Sequence, residues 1–463
     1  MAENPPATQR DTRTLWFDSA LLPKGWARRV RLSVEAGRIT AIETEIEPEA
    51  GDERHGLGLP GLPNLHSHGF QRGMAGLTEL RGPSADNFWS WRELMYRFVE
   101  RLEPDDLEAL TAQAYVEMLE SGFTRVAEFH YLHHARDGAE YENPGEMAVR
   151  VVAAAAATGI GLTLLPVLYC HSGFGGAPPR AEQRRFVTSP ERYARLMEAS
   201  RAAAGSLPDA VVGIAPHSLR AVTAGELATA LSLSTQGPIH IHAAEQLQEV
   251  ADCIAWSKQR PVEWLLDHAE VGVRWCLVHA THMTDPEMIG LAKSGAVAGL
   301  CPITEANLGD GIFRAREFTG ARGRFGIGTD SNVLLDAAEE LRLLEYSQRL
   351  THRMRNVLTS DGDHSTGRSL FDAALRGGTQ AVGTRIAGLA VGASADVVSL
   401  DLGHAALLGR QGDALLDSWI FGAGRAAIDC VWRGGRKLVV GGRHTQRGTI
   451  AARYRHALRG LLT

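Results

Sequence analysis

At 463 residues the chain is too long for one small domain, and 44% hydrophobic with 22% charged residues is the balance of a well-packed globular enzyme. A net charge of -6 and the lack of any basic run exclude a general attraction to nucleic acid or anionic membranes, so small-molecule substrates are favoured. The five cysteines, Cys170, Cys253, Cys276, Cys301 and Cys430, lack Cys-x-x-Cys spacing, which argues against a disulfide framework or thiolate zinc site and leaves reduced core residues.

Residues 1–13 are polar with no apolar leader core, and the longest apolar stretch, 151–157, is too short to span a bilayer, so a cytoplasmic protein is expected. Residues 15–46 alternate in strand-like pieces at 29–34 and 38–42. One theme then repeats, a short apolar run followed by a segment with helical periodicity. The runs lie at 59–68, 123–130, 161–169, 210–217, 238–243, 274–280, 296–301 and 325–330. Alanine clusters at 153–157 and 202–204 read as helix interiors. Eight strand-helix units predict an α/β fold, a (β/α)8 TIM barrel rather than a doubly wound sheet, since no Gly-rich phosphate loop follows the first run. Strand-like pieces return at 395–400 and 430–440 and are expected to pair with the amino-terminal ones. The expected division is a small β-sandwich domain from 1–58 and 387–463, and a metal-dependent barrel over 59–386.

The chemistry begins at Asn64-Leu65-His66-Ser67-His68. Residues two apart in a strand share a face, so His66 and His68 point at one spot, and paired imidazoles suit a metal. In the run Ile239-His240-Ile241-His242, His242 is nearer the strand end and has Glu245 three residues on, which makes it the third ligand and leaves His240 as a hydrogen-bonded interior residue. His279 ends its run and is expected to polarise the substrate or hold the attacking water, with His282 in the following loop. Asp330 ends the eighth run, beside the first in a closed barrel, as fourth ligand and base; a helix N-cap is the plainer alternative. Three histidines and an aspartate with room for water suit hydrolysis on Zn2+ or Fe2+. No lysine occurs between Lys24 and Lys258, which excludes a lysine-bridged metal pair on the fourth strand, while Glu128 is a candidate for a second ion.

Together, Leu65-His66-Ser67-His68, His242-Ala243-Ala244-Glu245, His279 and Asp330 resemble the mononuclear deaminase branch of the amidohydrolase superfamily, and residues 388–396 are similar to the segment by which that superfamily re-enters its small β domain. Within the branch, the stretches 66–73, 88–92, 128–133 and 216–220 resemble those of deiminases acting on N-formimino-L-glutamate in histidine degradation. The resemblance implies one zinc per subunit, or iron in its place, a homodimer, and a substrate pocket lined by Gln71, Arg92, Tyr131, His217 and Arg220. Those side chains suit a substrate with two carboxylates and an amidinium-like end. Glu245, His279 and Asp330 are the implied catalytic groups. The rivals are an aminohydrolase of a ring such as guanine, cytosine or a triazine, which predicts an aromatic, uncharged pocket, and a catalytically dead barrel, which predicts lost ligands.

Overall fold

The computed structural model describes residues 13–81, 86–359, 362 and 364–463. The polar leader stretch before Arg13 lies outside them. Strands from both ends of the chain join in one sheet. Its order runs Arg443–His444, Arg436–Val440, Ile428–Arg433, Val397–Leu400, Glu53–Pro60, Arg13–Leu22, Gly25–Glu35 and Arg38–Glu43. The sheet folds on itself as a sandwich: Ile39 donates its N–H to the Ala393 carbonyl at 2.9 Å, and Leu15, Phe17, Val30 and Leu32 share one core with Val397, Cys430 and Trp432. Alternation places these residues on one face of their strands, while Val398 and Val431 on the opposite face pack into the larger core.

The barrel follows the eight runs. Its parallel strands are Leu62–Ser67, Phe123–His130, Gly161–Leu168, the broken pair Val211–Val212 and Ala215–Pro216, Ile239–Ala243, Trp275–His279, Val297–Leu300 and Arg324–Ile327. Isolated bridges close the two gaps, Ile214 to Ile239 and Ser218 to His242 at one and Ser67 to Asp330 at the other. Val126, Leu164, Ile241, Leu277 and Ala298, wholly buried, belong to the core beneath the site. The helices outside start on recognisable caps; Ser189 accepts the Arg192 N–H with Pro190 in the first turn, and Asp336 accepts from Ala338 and Glu339.

Two runs differ from expectation. The first is not one strand: Leu59 and Pro60 pair with Val398 and Val397 of the small sheet, and only from Leu62 does the chain pair with Phe123 in the barrel. Gly61 makes the switch, its N–H bonded to the Asp396 carbonyl, in a space where a Cβ would lie 2.2 Å from Thr124. The fourth run is interrupted at Gly213, where a Cβ would lie 2.4 Å from the Pro238 carbonyl oxygen. The helix Arg447–Leu462 packs on the barrel helix Pro104–Leu119 through Ile450 and Leu461. Among the described residues no helix is long and apolar enough to cross a membrane.

Candidate active site

The carboxyl ends of the barrel strands bring four predicted ligands together. One ligand atom from each of His66, His68, His242 and Asp330 lies within 4.8 Å of all the others. His68 Nδ1 faces the Phe129 carbonyl at 2.9 Å and His242 Nδ1 the His217 carbonyl at 3.1 Å. A carbonyl only accepts, so both Nδ1 atoms carry the ring proton and both Nε2 atoms present lone pairs inward. His242 Nε2 then stands 3.1 Å from His66 Nε2, and Asp330 Oδ1 lies 3.4 Å from His66 Nε2 and 3.2 Å from His68 Nε2. Lone pairs converging this closely fit a cation.

Asp330 sits three residues beyond its strand, at φ 42°, and its backbone closes the barrel: its N–H bonds the His66 carbonyl and its carbonyl accepts from His68. A polar clamp holds this seam. Asn64 donates to Thr329 Oγ1 at 2.7 Å, Thr329 to Asn332 Oδ1 at 2.6 Å, and Asn332 to Ser67 Oγ at 3.1 Å. Ala244, His279, Ala280 and Asn332 also have positive φ, so the loops leave the strands abruptly and aim side chains over the barrel mouth.

Glu245 and His279 face each other across 3.8 Å, and His279 Nε2 lies 3.8 Å from Asp330 Oδ2. The two oxygens of Asp330 thus face different ways, Oδ1 to the imidazole set and Oδ2 to His279. Two carboxylates not singled out in the sequence support this group. Glu305 accepts from His279 Nδ1 at 3.2 Å and from the Cys301 N–H at 3.0 Å. Glu249 accepts the N–H groups of Ala244 and Glu245 at 3.1 and 3.2 Å, holding the loop that carries Glu245. Their one signal in sequence is an acidic residue in the first turn of the helix after a barrel strand.

Burial lowers His66 to about 3 and His242 well below the usual imidazole value, so both rings are neutral lone-pair donors. Burial also disfavours the Asp330 carboxylate, but His66 and His68 outweigh it and hold the group well below the usual range. For His279 burial opposes the charge, yet Glu245, Glu305 and Asp330 push it up to about 10. Burial raises Glu245, with His279 and Arg220 pulling the other way.

Gln71, Arg92, Tyr131, His217 and Arg220 all line one pocket with His68, His242, Glu245, His279 and Asp330. Gln71 Nε2 donates to the Tyr131 hydroxyl at 2.7 Å. Arg220 lies 3.5 Å from Glu245, and the Nε atoms of Arg92 and Arg220 are buried without hydrogen-bond partners. His217 is half-buried and its desolvation holds it well below the usual imidazole value, so it offers a hydrogen bond rather than a charge. Most of the remaining wall is aromatic, with Phe88, Trp91, Tyr96, Tyr169 and Phe186 beside Met95, Leu308, Ser172 and Ser218. Aromatic lining alone therefore does not separate ring substrates from acidic ones; the two guanidinium groups do. His240 points elsewhere, to the Ala381 carbonyl at 2.8 Å, and His282 to that of Asp310 at 2.8 Å. Glu128 is turned away from the site, accepting from Gly69 N–H at 2.5 Å and Tyr115 at 3.1 Å, so its oxygens are committed to the fold.

Residues 58–438 match the model of the Amidohydrolase family, and residues 12–56 match a model described as Formimidoylglutamate deiminase HutF, N-terminal domain. A formimidoylglutamate deiminase of Pseudomonas aeruginosa is 52% identical over 438 residues, covering 93% of this chain and 95% of that protein. An 8-oxoguanine deaminase of the same species is 27% identical over 458 residues, with 93% and 94% covered. Among solved structures, an amidohydrolase from Brucella melitensis aligns with a TM-score of 0.95 at 56% identity, over 97% of this chain and 100% of that one. An adenosine deaminase from Xanthomonas campestris with bound zinc shares the fold, at TM-score 0.79 and 23% identity over 97% and 98%.

Proposed function

The chain belongs to the amidohydrolase family, and from that membership we propose that it hydrolyses the imino group of N-formimino-L-glutamate, giving N-formyl-L-glutamate and ammonia, a step of histidine degradation. The observation that carries this reading is the presence of Arg92 and Arg220, their buried Nε atoms without hydrogen-bond partners, in the same pocket as Glu245, His279 and the ligands His68, His242 and Asp330. An acidic substrate with a hydrolysable C–N bond answers both halves of that pocket.

His66, His68, His242 and Asp330 would hold one zinc or ferrous ion, which when bound would supply Lewis acidity and lower the pKa of a water from about 16 towards about 7. Asp330 Oδ2, on the His279 side, accepts the proton of the attacking water. The water oxygen adds to the formimino carbon. His279, its Nδ1 held by Glu305, donates Nε2–H to steady the charge that develops there. Glu245, across from His279, carries that proton from Asp330 to the departing nitrogen and then takes the remaining proton of the added oxygen as the C–N bond breaks to release ammonia. Arg92, Arg220, Tyr131 and His217 bind the carboxylates, and Gln71 orients the chain through Tyr131. Zinc as the native ion, a cytoplasmic location and a homodimer belong to the same proposal. Ammonia release compared across N-formimino-L-glutamate, guanine and 8-oxoguanine tests it: turnover confined to the formimino acid supports the reading, and faster turnover of a ring amine overturns it.

A further inference from the structure

Two tyrosines at the pocket wall and a glutamine bonded to both have no part in the mechanism above. Tyr96 lies on the helix Phe88–Val99, Tyr169 just beyond the strand Gly161–Leu168, and Gln183 at the end of the turn Ala181–Gln183. All three are buried. Gln183 Nε2 is 3.1 Å from the Tyr96 hydroxyl and 2.8 Å from that of Tyr169, while its Oε1 accepts the Arg180 backbone N–H at 2.8 Å. A backbone N–H only donates, so this bond settles the amide orientation and makes Gln183 the donor to both phenols.

Each phenol oxygen is thereby an acceptor from Gln183, and its own hydrogen must go elsewhere. Even where one phenol donates to the other, the second hydrogen stays available to a ligand. Tyr96 and Tyr169 line the pocket that holds Arg92 and Arg220, and the Arg92 guanidinium carbon lies 5.6 Å from the Tyr96 ring centre. Two hydroxyl donors beside two guanidinium groups, whose Nε–H groups are buried without hydrogen-bond partners although Arg220 also faces Glu245 at 3.5 Å and Glu249 at 4.0 Å, make a site for an anion.

Its distance from the chemistry says which anion. The His242 ring lies 4.9 Å from that of His217, tilted to it, and the His217 ring 4.7 Å from that of Tyr169, edge to face, so the phenol stands two rings out from the ligand set. Tyr131, by contrast, lies directly against His68 at 4.9 Å. In N-formimino-L-glutamate the formimino carbon must lie at the ligand set, and the side-chain carboxylate is the group furthest along the chain. Resting on the function proposed above, we infer that Tyr96 and Tyr169, oriented by Gln183, bind that side-chain carboxylate and set selectivity for it.

The test compares kcat/KM for N-formimino-L-glutamate with that for N-formimino-L-norvaline, which has the same reach but ends in a methyl group. Tyr169→Phe and Tyr96→Phe remove one donor each. Gln183→Glu keeps every ring but gives the phenols a shared acceptor, which turns their hydrogens away from the pocket. The expected result is a preference for the glutamate substrate that falls roughly ten- to hundredfold, mostly through KM, with the norvaline value nearly unchanged and Tm retained. An unchanged preference in Gln183→Glu and in the double phenylalanine variant overturns the inference while the deiminase reading stands. A wild-type protein with no turnover of N-formimino-L-glutamate overturns both.

Discussion

Replacing Glu305 by alanine tests how the site holds His279. One carboxylate oxygen accepts two hydrogen bonds, from His279 Nδ1 at 3.2 Å and from the Cys301 N–H at 3.0 Å, and the residue is buried. Alanine leaves both donors stranded. A hydrogen bond to a charged group contributes about 1.5–3 kcal/mol, and a buried donor left unpaired costs about 1–3 kcal/mol, so the variant loses about 3–5 kcal/mol of stability. Turnover falls roughly 10- to 100-fold, the range for partners that orient site imidazoles, because the ring no longer has a fixed tautomer. Glutamine separates charge from geometry. Its amide oxygen, in the same place, can accept both bonds, so Glu305→Gln stays within about 1 kcal/mol of wild type and keeps more turnover than alanine. Urea denaturation and steady-state kinetics on the three proteins read both effects. Wild-type kcat in Glu305→Ala would refute the reasoning, since His279 would then be positioned by other contacts.

Glu245→Gln is expected to keep its metal, because Glu245 is outside the four-residue ligand set, and to lose roughly 10²- to 10⁴-fold in kcat; full activity would remove it as the proton carrier. Asp330→Ala loses both activity and part of its metal, as atomic absorption after dialysis measures; undiminished metal would exclude it as a ligand. In the metal-free protein His279 carries a raised folded pKa of about 10, although burial alone would lower it, because Glu245, Glu305 and Asp330 oppose that burial. Its stabilisation is full below the unfolded value of about 6.5 and is lost as pH rises through about 10. The apoprotein Tm therefore falls across that interval and falls less in Glu305→Gln. A Tm independent of pH there would contradict the charge assigned to the ring.

The barrel was legible because its strands are short apolar runs whose chemistry-bearing residues stand at their ends. His66 and His68 share a face by the period of a strand, and His242 was separable from His240 because it lies nearer the end of its run. What the pattern could not supply was where a run breaks. Leu59 and Pro60 look continuous with Leu62 to His66, yet Gly61 sends them to a different sheet, a consequence of Thr124 crowding that no local period reveals. Asp330 was recognisable by type, but its place past the strand end depends on the clamp from Asn64 through Thr329 to Asn332, which spans the closed barrel. The supporting groups were the least visible. Glu249 and Glu305 act on backbone and imidazole several residues away, and Gln183 matters only because Arg180 fixes its amide. The pocket wall likewise mixes Phe88, Tyr169 and Phe186 from three separate segments, so its aromatic character appears only after folding.

The most direct measurement is identification of the products when the purified, zinc-loaded protein acts on N-formimino-L-glutamate. Attack at the formimino carbon with protonation of the terminal nitrogen by Glu245 predicts ammonia and N-formyl-L-glutamate in equal amounts. Glutamate with formamide would mean that the other C–N bond breaks, and absence of turnover at full metal occupancy would mean that the pocket serves another substrate; either contradicts the account.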